Sequence, residues 1–150
     1  MHLNIGADAN IVFSALYFGG RAAPFFNAVN LNKIDLYQSE YLKDELVAVA
    51  KRKYLPKNNL ELFYSLSNVH VITDASYYSK IEFEAALKLV RDAADVPVFV
   101  FAKKMLSAGK IDFFVTGDND LLEEKVRLAL ADKIISLAEF NEILISEREF

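Results

Sequence analysis

The chain has no cysteine, only two histidines, and no apolar stretch near the length of a bilayer. Each absence removes a class of chemistry. Without cysteine there is no disulfide, no thiolate nucleophile and no cysteine-held zinc, a composition that fits a reducing cytoplasm. Crossing a membrane takes ~20 consecutive apolar residues, and polar residues interrupt every run well before that length. The opening MHLNIGADANIVF lacks the basic start and long apolar segment of a secretory leader, so a soluble cytoplasmic protein is expected. Bulk positive charge is also missing. With a formal charge of -4 and a pI near 5.2, nucleic acid would have to be held by local basic patches or metal ions rather than by a net field. No Ser- or Gly-rich linker and no internal repeat divides the chain.

What is present is material for a core: 150 residues, 53% of them hydrophobic, enough for one domain. Short β-like runs alternate with longer helix-like runs, which predicts a three-layer α/β/α sandwich around a parallel sheet of four to five strands. Strands are expected at 3–7, 34–38, 69–73, 113–116 and 133–135. Helices are expected at 11–18, stopped by Gly19 and Gly20, then from Pro24, from a Ser39 cap to about residue 54, and at 58–66. Leu42, Leu46, Val49 and Ala50 recur at helical spacing and should face the core. A strongly amphipathic helix is expected at 77–91, with Ile81, Ala85 and Leu89 on its apolar stripe. Asp95 and Pro97 suggest a helix start running to about residue 108, and Ser136 with Glu139 has the spacing of a capping box for a last helix to about residue 145.

Acidic residues fall at particular points of this pattern. Asp8 ends the first strand, Glu45 lies in the second turn of a helix, Asp95 starts a helix, and Asp118 follows the fourth strand in VTGDNDLL. In an open α/β sheet, ligands bind beyond the carboxyl ends of the strands, and these positions can border one such crevice. Each also has a plainer role: Asp8 in a loop, Glu45 on a solvated helix face, Asp95 as a cap, Asp118 as a turn former. Asp44 would point about 100° away from Glu45 around its helix, and Asp92 rivals Asp95. Like charges ~5 Å apart cost on the order of 3 kcal/mol per pair at an effective dielectric near 20, so such a cluster needs a cation. Oxygen donors select a hard one, Mg²⁺ or Mn²⁺.

Four segments carry a resemblance: DANIVFSAL at 8–16, SEYLKDELVAVAKRKY at 39–54, DAADVPVFVFA at 92–102 and VTGDNDLL at 115–122. In order and character they resemble the conserved blocks of PIN domains, and the closing IISLAEFNEIL extends the resemblance over nearly the whole chain. The resemblance implies a compact α/β/α nuclease that cuts single-stranded RNA with Mg²⁺ or Mn²⁺, in many members as the toxin of a toxin-antitoxin pair. It makes Asp8, Glu45, Asp95 and Asp118 the metal-site carboxylates, Asp120 an accessory carboxylate, and Asn10 and Thr116 the polar residues that orient the site. The segment KKMLSAGKID is longer than the family pattern, which leaves Asp92 beside Asp95 as the third carboxylate. A homodimer and an antitoxin covering the cleft are implied partners. Lys51, Arg52, Lys53, Lys103 and Lys104 are candidate substrate contacts, although a basic helix end is commonly just solvated. His2 and His70 do not look catalytic, and Ser14 lacks a base to activate it.

Two other classes compete. A haloacid-dehalogenase-type phosphatase also has a first-strand Asp and a later Gly-Asp, but its first motif carries Asp at the third position, where this chain has Asn10, and no catalytic Lys or cap domain is evident. A response-regulator receiver lacks its adjacent acidic pair. A catalytically inactive protein-binding module is the non-enzymatic alternative, against which the four intact carboxylates count.

Overall fold

The computed structural model describes residues 2–73 and 78–148. Among them, five strands form one parallel sheet in the order β3-β2-β1-β4-β5: β1 (Leu3–Ala7), β2 (Ile34–Ser39), β3 (Val69–Ile72), β4 (Phe113–Thr116) and β5 (Ile134–Ser136). Eight α-helices surround it: α1 (Ala9–Tyr17), α2 (Ala23–Asn30), α3 (Glu40–Arg52), α4 (Lys57–Tyr64), α5 (Lys80–Leu87), α6 (Val96–Ser107), α7 (Glu124–Ala129) and α8 (Leu137–Arg148). The expected three-layer α/β/α architecture is what the chain adopts.

Strand alternation builds the layers. Along β4 and β5, Val115 and Ile135 face one core while Phe114 and Ile134 face the other. The first core is closed by α1, α2, α4 and α8, and the second by α5, α6 and α7. Helix α3 contributes to both, Leu46 and Ala50 to the first and Leu42 to the second. A sheet buried on both faces needs strands that are apolar throughout rather than alternating with charge, as β4 and β5 are.

Topology then locates the crevice. The chain leaves β1 for β2 and β3 on one side, and returns through α5 and α6 to place β4 on the other side of β1. This reversal beside β1 is where an open parallel sheet leaves a gap at its carboxyl edge. Asp8 follows β1 and Asp118 follows β4, so paired strands deliver both to that gap.

Two expectations for the helices need correction. Helix α5 covers Lys80–Leu87, shorter than the predicted 77–91, with residue 77 outside the described residues. Of its predicted stripe, Ile81 is 79% exposed and Ala85 is exposed, while Leu89 packs against the second core; the fully buried positions are Ala86 and Val90. The Ser79 and Glu82 capping box starts the helix there. Helix α7 was not expected, because turn formers precede it and only Val126 of its residues is fully buried.

Candidate functional site

Asp8 is the most constrained residue of the crevice. It is 6% exposed, and its Oδ1 accepts the Ile11 N–H at 3.0 Å, capping α1. Its Oδ2 accepts the Thr116 hydroxyl and the Gly117 N–H. Thr116 in turn accepts the Asp118 N–H at 3.0 Å, and Asp118 Oδ1 accepts the Asp120 N–H at 2.9 Å. The expected turn chemistry of VTGDNDLL is therefore real, and it organises the carboxylates rather than competing with them. Thr116 is fully buried and acts as the coupling between Asp8 and the Asp118 turn.

Asp95 sits at the start of α6, but its side chain makes no capping hydrogen bond. The capping role falls to Asp92, whose Oδ1 accepts the Ala94 N–H at 2.9 Å at the head of a short 3-10 turn. Between the two candidates for the third carboxylate, Asp95 enters the cleft and Asp92 does not line it. Carboxylate oxygens of Asp95, Asp118 and Asp120 lie within 4.8 Å of one another.

A small cleft of about 50 Å³ is lined by Asp8, Asn10, Glu45, Asp95 and Asp118, with Leu42, Val98 and Leu121 as its apolar wall. All four predicted carboxylates thus meet. Asp120 joins from the outer side, grouped with Asp95 and Asp118 but outside the cleft lining. The volume suits an ion with coordinated water and leaves the bulk of any substrate outside.

The electrostatics record the crowding. Burial pushes the Asp8 carboxyl above its ordinary range, and Asp118 adds to the rise, against lowering by the hydrogen bonds from Thr116, Ile11 and Gly117. Glu45 is raised by burial and then by the charge of Asp8, while Arg52 pulls it back. Asp95 is pushed up to about 7 by burial, by the charge of Asp118 and a hydrogen bond to it, and by Asp92 and Asp120. Carboxyls raised by burial and by each other would be relieved by a positive ion or by uptake of a proton.

The basic residues separate into different regions. Arg52, two turns beyond Glu45 on α3, is exposed and its charge reaches Glu45. Lys51 lines a larger hollow of about 710 Å³ between α3 and α4, with Lys43, Tyr54 and Tyr64. That hollow contains no carboxylate cluster, and chemistry rather than size favours the smaller cleft. The Lys53 ammonium lies 5.2 Å from the centre of the Phe13 ring. Rather than the cleft itself, Lys103 and Lys104 line a groove against α5, where Lys104 pairs with Glu82 at 3.4 Å, about 12–14 Å along α6 from Asp95. His2 and His70 both meet Asp35, at 2.6 and 2.8 Å, which gives them a structural role apart from the cleft.

Sequence reasoning missed Tyr41, whose phenol is raised by burial and by the charges of Glu45, Tyr78, Asp95 and Asp92. Its spacing of four from Glu45 on one helix was the available signal. No protein-family model and no curated protein matches the chain.

Proposed function

We propose that the chain is a divalent-metal-dependent endoribonuclease of the PIN type, hydrolysing phosphodiester bonds of single-stranded RNA. The observation that carries this reading is the convergence of Asp8, Glu45, Asp95 and Asp118 on one small cleft at the carboxyl edge of the sheet. An all-oxygen donor set, crowded enough to raise three of its carboxyls, fits Mg²⁺ or Mn²⁺. Asp95, Asp118 and Asp120, whose carboxylate oxygens lie within 4.8 Å of one another, would hold the ion, with Asp8 and Glu45 lining the cleft beside it. When bound, such an ion lowers the pKa of its water and neutralises charge on the phosphate.

The protein's own groups supply the rest. The bonds from Ile11, Thr116 and Gly117 hold the Asp8 carboxylate in one orientation, so no reorganisation is needed when the substrate arrives. Asn10, exposed in the first turn of α1, offers an amide to a phosphate oxygen at the mouth. Leu42, Val98 and Leu121 exclude bulk water and strengthen every charge interaction inside. One of the cleft carboxylates, Asp95 or Asp118, would accept the proton of the attacking water. On the same resemblance, the proposed setting is a homodimeric toxin whose cleft an antitoxin covers.

The test is cleavage of single-stranded RNA by purified protein with Mn²⁺ or Mg²⁺. Asp8→Asn and Asp118→Asn should each lower the rate by about 10³-fold, the scale of several kcal/mol of transition-state stabilisation, with the circular dichroism spectrum unchanged. Wild-type rates in both variants would overturn the reading. Hydrolysis of a small phosphomonoester in place of RNA would favour the phosphatase.

A further inference from the structure

Helix α3 carries a second pattern on its cleft side. Tyr41, Glu45, Ala48 and Arg52 follow at steps of four, three and four, the spacing of a single helical face. Glu45 lines the cleft, so this face passes directly by it. Tyr41 does not line the cleft but precedes Glu45, which does, by one turn on the same face of α3, and it is 39% exposed. At the other end, Arg52 is exposed and acts on Glu45 through its charge. Between Glu45 and Arg52 the residue is Ala48, exposed and too small to obstruct a chain lying along the helix. Tyr41 and Arg52 are about 16 Å apart along the axis.

An aromatic ring, a carboxylate site and a guanidinium in a row match the parts of a single nucleic-acid strand: a base, a scissile phosphate and a further phosphate. We propose that Tyr41 and Arg52 are the two ends of a substrate track on α3, Tyr41 stacking an unpaired base on one side of the carboxylates and Arg52 holding a phosphate on the other. This inference rests on the hydrolase reading for the phosphate between them. Its consequence is selectivity. Bases in a duplex already stack on their neighbours and cannot cover Tyr41 without being unstacked, whereas a single strand offers a free face. Arg52 adds a charge-assisted contact that is insensitive to base identity.

The experiment measures binding and cleavage separately. In the cleavage-deficient Asp8→Asn background with Mg²⁺, fluorescence anisotropy of a labelled short single-stranded RNA gives Kd. Tyr41→Ala should weaken it about tenfold, within the range for loss of one base-aromatic stack, and Tyr41→Phe, which keeps the ring, should recover most of the affinity. Arg52→Ala should weaken binding and lower the salt dependence of log Kd by about 0.7, the value of one phosphate contact on a single strand. A duplex of the same sequence should not respond to Tyr41→Ala. Unchanged Kd and salt slope in both variants, with wild-type cleavage intact, would overturn the track while leaving the hydrolase. The expected losses of affinity in a protein whose wild type cleaves no RNA would sustain the track as a binding surface and overturn the hydrolase. Absence of RNA binding altogether would overturn both.

Discussion

Asp8 and Thr116 carry the tightest chemistry of the molecule at the level of single residues. The Thr116 hydroxyl donates to Asp8 and accepts from the Asp118 backbone N–H, so one oxygen links the Asp8 carboxylate to the turn that carries Asp118. Thr116→Val keeps the shape and removes the link. It should lower Mn²⁺ affinity or RNA cleavage about 10- to 100-fold, as losses of supporting contacts around metal sites do, and calorimetric Mn²⁺ titration checks this. Asp95 tests the opposite trade. Its carboxyl is pushed up to about 7 from 3.8 when folded, so the folded chain holds a proton that the unfolded chain has released between those values. Without metal, stability should therefore fall as pH rises from about 4 to 7, and Asp95→Asn should flatten that profile. Discounted for solvent screening of this partly exposed group, the gain from Asp95→Asn near pH 7 is about 1 kcal/mol, or roughly 2–4 °C in Tm. Thermal melts with EDTA across that pH range measure it, and a profile unaffected by Asp95→Asn would contradict the assignment.

Elements were legible where one physical signal dominated. The strands β1 and β4 lie where expected because apolar runs there stop at turn or cap residues, Asp8 after β1 and Gly117 with Asp118 after β4. The start of α8 was legible from Ser136 and Glu139, whose reciprocal bonds both form at 3.1 Å. Ser136→Ala should cost about 1 kcal/mol, the usual worth of such a cap, visible as a lower midpoint in urea. Helix α5 was misread because its residues are apolar on more than one side, so periodicity did not single out the buried row, and the cap at Ser79 sets a later start than the apolar run suggested. Strand β1 adds a tolerance limit that no pattern announces. A Cβ on Gly6 would meet the buried Phe114 ring at 2.7 Å and Ile111 at 3.0 Å. Gly6→Ala should destabilise the fold by about 1–3 kcal/mol through overpacking, and a denaturation curve matching wild type would refute this close approach of strand and side chains.

Across the whole molecule, the four main carboxylates were legible as candidates because strand ends and helix starts are recognisable. The choice between Asp95 and Asp92 was not legible. It depends on a 3-10 turn that assigns Asp92 to the backbone and points Asp95 at the cleft. The fate of the basic residues was equally hidden, since the side of α3 or α6 on which each emerges is set by packing. A crowded acidic cleft also predicts a global response. Mg²⁺ or Mn²⁺ at 100 times its Kd should stabilise the fold by about 2.7 kcal/mol, raising Tm by roughly 5–10 °C; Asp118→Asn should remove most of that shift. No helix among the described residues is long and apolar enough to cross a membrane.

The bond from Thr116 to Asp8 joins residues 108 positions apart. Asp8, Glu45 and Asp95 are all synthesised before the strand that brings Asp118, and until β4 pairs with β1 they have no cleft to share. If the chain is the nuclease proposed, a nascent or truncated form ending before residue 113 is harmless, and a cell making it is exposed to its activity only once translation has passed that point.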